Sequence, residues 1–165
     1  MSAPQLKRSF PPVVDERTRV LVLGSLPGEE SLARQRYYAN PRNHFWRLMS
    51  AVIDVDLVPL DYEARLRALL SAGVGLWDSV GTAVRDGSLD AAIRDHRPNA
   101  LAELARSMPE LKAVGFNGGT SAKIGRKALA GATAAKLIAL PSSSPAYTLT
   151  FEKKLEAWLQ LRDYL

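Results

Sequence analysis

Four short, nearly continuous apolar runs constrain this chain more than any other feature: Arg19–Gly24, Gly73–Trp77, Leu111–Phe116 and Ala135–Leu140. Runs of this kind suit strands that are covered on both faces, as in a parallel sheet, rather than strands with one wet side. Helical spacing fills the intervals. Phe45, Leu48, Met49 and Val52 share a face within Asn43–Ile53, and Leu66, Leu69 and Leu70 do so after Asp61, a candidate N-cap. Thr120–Leu129 reads as a short basic helix, and Phe151, Leu155, Trp158 and Leu159 form one stripe near the end. Pro98 fits the first turn of a helix running through Arg106. Strands alternating with helices predict a three-layer α/β/α fold with a four-stranded, mostly parallel central sheet. Residues 1–17, with three prolines and scattered charge, predict an arm with little regular structure, and 18–165 a single domain.

Composition excludes several classes. No apolar run approaches the roughly 18 residues of a membrane span, and no secretory leader is evident, so the expectation is a cytoplasmic protein without a membrane partner. There is no cysteine and there are only two histidines, His44 and His96, which removes thiol chemistry and multi-histidine metal sites but leaves open a carboxylate site for a hard cation; no metal and no cofactor is expected. A monomer is expected.

Charge is unevenly placed. Between Glu30 and Asp54 the only charged residues are Arg34, Arg36, Arg42 and Arg47, and between Glu110 and Glu152 they are Lys112, Lys123, Arg126, Lys127 and Lys136. If the two acid-free segments meet, they form a positive face suited to a polyanion; otherwise they are ordinary solvated helix faces.

Ligands of open parallel sheets bind beyond the carboxyl ends of the strands, so the turns after the apolar runs are the places to search. Gly24-Ser25-Leu26-Pro27-Gly28 permits close backbone approach, and Ser25 can donate a hydrogen bond, although a plain strand-to-helix turn would look the same. Asn117-Gly118-Gly119 puts a donor and an acceptor at a strand end, able to read a base edge or simply to cap a helix. Pro141-Ser142-Ser143-Ser144-Pro145-Ala146-Tyr147 is an uncharged, proline-bounded loop that could hold phosphates and press against a duplex, or be only a turn. Arg34 to Trp46 interleaves aromatics with arginines, as stacking beside a phosphate track requires.

Taken together and in order, Gly24-Ser25-Leu26-Pro27-Gly28, Tyr38-Ala39-Asn40-Pro41-Arg42-Asn43-His44-Phe45-Trp46 and Leu140-Pro141-Ser142-Ser143-Ser144-Pro145 resemble the uracil-DNA glycosylase superfamily. The likeness extends to its mismatch-specific uracil/thymine enzymes and is strongest to the hypoxanthine-DNA glycosylase branch, which also has a stretch like Gly87–Arg94. It covers about Val20 to Leu165.

The resemblance implies a DNA-repair enzyme that flips a deaminated base from DNA and hydrolyses its N-glycosidic bond. By position, Tyr38 matches the aromatic that stacks on the base, Asn117 the asparagine that hydrogen-bonds it, and Asn43 the catalytic residue that orients water. Gly24, Ser25, Leu26 and Gly28 border the base, while Ser142, Ser143, Ser144, Tyr147 and Lys123 are candidate DNA contacts, with Ser144 and Tyr147 both candidates for the wedge. Two departures bear on the substrate. Ser25 and Leu26 do not replace the acidic or asparagine residue that activates water in uracil enzymes, and Leu140 stands where those enzymes keep a histidine for the leaving oxygen. A deaminated purine such as hypoxanthine is therefore expected over uracil. The alternatives are a non-catalytic damaged-DNA binding module and a nucleotide-binding α/β enzyme using the Gly24 turn.

Overall fold

The computed structural model describes residues 5–165. Four parallel strands, β2 (Val20–Gly24), β3 (Val74–Asp78), β6 (Ala113–Asn117) and β7 (Lys136–Leu140), form a sheet in the order β3-β2-β6-β7. The pairings Gly24 with Asp78 and Asn117 with Leu140 bring the last residues of all four strands to one edge. Alternation along the strands divides the core. Val20, Val22, Val74 and Leu76 pack with helices α2 (Phe45–Ile53), α3 (Tyr62–Ser71) and α6 (Phe151–Trp158), through Phe45, Leu48, Met49, Leu69 and Trp158. Leu21, Leu23, Val114 and Phe116 face the opposite layer, formed by α4 (Leu101–Arg106) and α5 (Gly119–Leu129). The fold is the three-layer α/β/α arrangement expected.

Helix α5 lies close against the sheet because Gly125 carries no side chain: a Cβ there would stand 2.3 Å from Cε1 of Phe116. Its approach from β6 turns on Gly118, whose φ of +96° is left-handed and favours glycine.

Several expectations need correction. The arm is tied down: β1 (Leu6–Arg8) pairs antiparallel with β4 (Val80–Val84), Val13 bridges Leu76, and the Phe10 carbonyl accepts from the Trp77 indole at 2.8 Å. Only residues 1–4 of that arm lie outside the described range. With β5 (Arg94–Pro98), these strands make a second, antiparallel sheet in the order β1-β4-β5 that was not anticipated, because β5 is polar and exposed along its length. Pro98 closes that strand instead of opening a helix, and α4 begins at Leu101. The terminal stripe splits into α6 and a 3-10 turn over Leu159–Tyr164. A six-residue helix, α1 (Glu29–Arg34), also escaped the periodicity.

Candidate active site

The carboxyl edge of the parallel sheet opens into a cavity of about 410 Å³. Its lining includes the Gly24–Gly28 turn, Tyr38, Asn43, Asn117 and the whole Ser142–Tyr147 loop, so segments far apart in sequence converge as the motifs require. Lys123 is the exception among the expected residues: it is exposed on α5 and does not line the cavity.

Tyr38 is held in an unusual way. Its backbone has φ of +53°, a left-handed conformation that costs a non-glycine residue of order 1 kcal/mol and clusters at functional sites. One ring face stacks on Phe45, with centroids 3.8 Å apart and planes within 15°. The Tyr38 carbonyl also accepts from the Trp46 indole at 3.1 Å, which fixes the residue against the start of α2. Burial, followed by the charge of Asp78, raises the phenol's pKa above its ordinary value, so the hydroxyl stays protonated.

Asn43 sits two residues before α2. Its Oδ1 accepts from the Phe45 N–H at 2.9 Å, an Asx-type turn that orients the amide while leaving that oxygen a second lone pair. Asn117 makes more bonds than its sequence position suggested. Its Oδ1 accepts from the Ser143 N–H at 2.8 Å, and Nδ2 donates to Ser143 Oγ at 2.8 Å and to the Tyr38 hydroxyl at 3.3 Å. Because a backbone N–H can only donate, the amide orientation follows directly. Asn117 thus joins the strand end, the loop and the aromatic ring, and the longest of these bonds points toward the ring's hydroxyl.

The loop after β7 is fastened at further points. The His44 N–H donates to the Ser143 carbonyl at 2.9 Å, the Trp158 indole to the Pro141 carbonyl at 2.9 Å, and Lys154 Nζ to the Ser144 carbonyl at 3.1 Å. Lys154 is fully buried, and desolvation lowers its pKa. Beyond these anchors Tyr147 is 48% exposed, the bulkiest side chain at the cavity mouth on this loop.

The sequence reading missed the cavity's acidic side. Ser25 Oγ donates to Asp90 Oδ1 at 2.6 Å, and the buried guanidinium of Arg85 donates to the carbonyls of Leu26, Pro27 and Gly87, bracing the first motif against the Gly87–Arg94 stretch. Asp78, 3% exposed at the end of β3, also lines the cavity, and its enclosed Oδ2 has no hydrogen-bond partner. Gly24 makes room for it: a Cβ there would lie 2.6 Å from Asp78 Oδ1 and 3.0 Å from the Tyr38 hydroxyl. The signal was available, since Asp78 directly follows the second apolar run, where strand-end logic says to look.

Burial, reinforced by Asp90 and opposed by Arg85, pushes the Asp78 carboxyl up to about 7. A carboxyl raised above its unfolded value near 3.9 binds its proton more tightly in the native state, so the fold loses stability as pH climbs from about 4 to about 7 and keeps that loss above it. Asp78→Asn has no such charge to bury. It is expected to exceed the parent in stability at about pH 8 by up to about 4 kcal/mol, with the gap closing near pH 4, as thermal unfolding at both values will read out.

A strand-edge cavity bordered by an aromatic face, two asparagine amides and a braced serine loop offers stacking and hydrogen-bonding groups of the kind that one planar, polar heterocycle can use. The family model for the uracil DNA glycosylase superfamily matches residues 11–163, and this chain belongs to that superfamily. It is 45% identical over 112 residues to a hypoxanthine DNA glycosylase of Methanosarcina barkeri, covering 68% of this chain and 71% of that one. A hypoxanthine DNA glycosylase of Methanosarcina acetivorans is 43% identical over 113 residues, covering 68% and 72%. A solution NMR structure of a candidate uracil DNA glycosylase from Methanosarcina acetivorans superposes with a TM-score of 0.85 at 36% identity, covering 96% of this chain and 97% of that one. Among the described residues no helix is long and apolar enough to cross a membrane.

Proposed function

We propose that this chain is a monofunctional DNA glycosylase of base excision repair that removes hypoxanthine, flipping it from the strand and hydrolysing the bond to C1′. The observation that carries this reading is the convergence of Tyr38, Asn43 and Asn117 on one cavity. The exposed face of Tyr38 takes the base, its other face being occupied by Phe45. Asn43 Oδ1 orients a water below C1′, where positive charge develops in an oxocarbenium-like transition state. Asn117 meets the base edge by exchanging its long bond to the Tyr38 hydroxyl, and Tyr147 fills the gap left in the duplex. Leu140 offers no group to the leaving oxygen of uracil, which favours a purine, and mispaired hypoxanthine costs less to unpair than a matched base.

Duplexes carrying deoxyinosine, deoxyxanthosine or deoxyuridine, incubated with the protein and EDTA and then treated with alkali, test the proposal. Strand breaks at deoxyinosine in excess over the other two are expected. Retarded migration of the lesion duplex without alkali-labile sites would establish a binding module in place of an enzyme.

A further inference from the structure

Nothing in the roles above uses Asp78, although its carboxyl lines the cavity beside Gly24 and the Tyr38 hydroxyl and its Oδ2 is enclosed without a partner. Most buried polar atoms are paired, and a buried carboxyl that is not paired calls for an explanation. Asparagine would fill the same space without the ionisable group, so packing does not require an acid here. The departing base otherwise meets only one neutral donor: the histidine position of uracil enzymes is Leu140, and Asn117, with Oδ1 and one N–H committed to Ser143, has a single N–H left to offer it. Hypoxanthine leaving from C1′ needs a proton more than it needs another neutral donor.

We propose that Asp78 is a catalytic general acid, delivering its proton to N7 or N3 of the purine as the C1′–N9 bond breaks. This rests on the glycosylase reading above. The electron pair of the broken bond enters the ring, the carboxyl proton goes to the acceptor nitrogen, and hypoxanthine leaves neutral. Water supplies hydroxide to C1′ and releases a proton, and the Asp78 carboxylate is reprotonated from solvent. Uracil has no acceptor ring nitrogen other than the one in the bond, so only the purine can use this proton fully.

The charged groups facing Asp78 fit the role. Asp90, from the 3-10 turn Asp90–Ala92, opposes its ionisation, and Arg85, just beyond β4, keeps that effect moderate; Tyr38 and Tyr37, from the α1–α2 connection, feel its charge in turn. A carboxyl raised to about 7 keeps a substantial protonated fraction near neutral pH and can regain its proton after each turnover.

Single-turnover excision of deoxyinosine, 7-deazadeoxyinosine, 3-deazadeoxyinosine and deoxyuridine from duplexes, from roughly pH 5.5 to 8.5 with parent and Asp78→Asn, tests the assignment. The parent should lose deoxyinosine excision about tenfold per pH unit above about 7, whereas Asp78→Asn should be flat and about 10²-fold slower at low pH. One deaza substrate should be slow with the parent and indifferent to the substitution, naming the nitrogen. Uracil should lose less than hypoxanthine. The parent's profile needs no variant and stands even if Asp78→Asn folds poorly. Deoxyinosine excision with a flat or rising profile, or a substitution that slows both deaza substrates as much as deoxyinosine, overturns the role of Asp78 alone. Strands left intact at every pH overturn the glycosylase reading with it.

Discussion

Asn43→Ala is expected to lower single-turnover excision of hypoxanthine by roughly 10²-fold or more, the usual cost of losing one preorganised polar group aimed at a developing charge. The loss should fall on the chemical step. Asn43 touches the cavity and its amide is fixed by the Phe45 N–H, so the oxygen is placed before substrate arrives. The same bond gives the residue a structural share, because alanine frees the N–H at the start of α2 at about 1 kcal/mol. That helix is anchored by the buried rings of Phe45 and Trp46, so the variant should still fold. Asn43→Asp keeps the acceptor and should recover most of the lost rate and stability. Quench-flow excision measured beside thermal unfolding separates the two shares: an alanine variant that unfolds earlier yet cuts at the parent's rate would remove Asn43 from catalysis.

Asn117→Ala should be costly in both respects. It deletes all three bonds of the amide and leaves the Ser143 N–H buried without an acceptor, a penalty of about 1–3 kcal/mol before the loss of the other bonds. The loop then loses its link to β6, and the Tyr38 hydroxyl its donor. Asn117→Asp is the more discriminating variant. It preserves an acceptor for the Ser143 N–H, and both hydroxyls can rotate to donate to the second oxygen, so the fold should survive. A carboxylate beside a base that is gaining negative charge should nonetheless reduce excision by roughly 10²-fold or more. Parity of Asn117→Asp with the parent in excision would reduce Asn117 to a loop clamp.

The readable part of the fold was the part buried on both sides. β2, β3, β6 and β7 each fell within one or two residues of the apolar runs, because strands covered by helices on two faces need apolar side chains almost throughout. β1, β4 and β5 have no such requirement: Leu-Lys-Arg and Arg-Asp-His-Arg-Pro look like loop, and only their pairing with β4 on either side makes them strands. Pro98 was misplaced for the same reason, since it suits both the end of an edge strand and the first turn of a helix.

Tyr38, Asn43, Asn117 and the serine loop were legible through motif order and spacing, which survive without knowledge of packing. What the sequence could not convey was how those groups are occupied. That Asn117 is bound to Ser143, or that Asp78 and Asp90 enter the cavity, depends on which strand ends are neighbours, and that follows from the order β3-β2-β6-β7. The acid-free segments do meet, where the His44 N–H reaches the Ser143 carbonyl, but they meet above an acidic floor.

The central claim is that one deaminated base occupies the space enclosed by Tyr38, Asn43 and Asn117. Titration of isotope-labelled protein with a duplex carrying uncleavable 2′-fluoro-deoxyinosine, followed through the side-chain amide resonances of Asn43 and Asn117, tests it directly. Both amides are expected to shift together and saturate at one duplex per chain, while the matching guanine duplex moves neither. Amides that stay still as the inosine duplex saturates the protein, or that respond alike to both duplexes, would contradict the account.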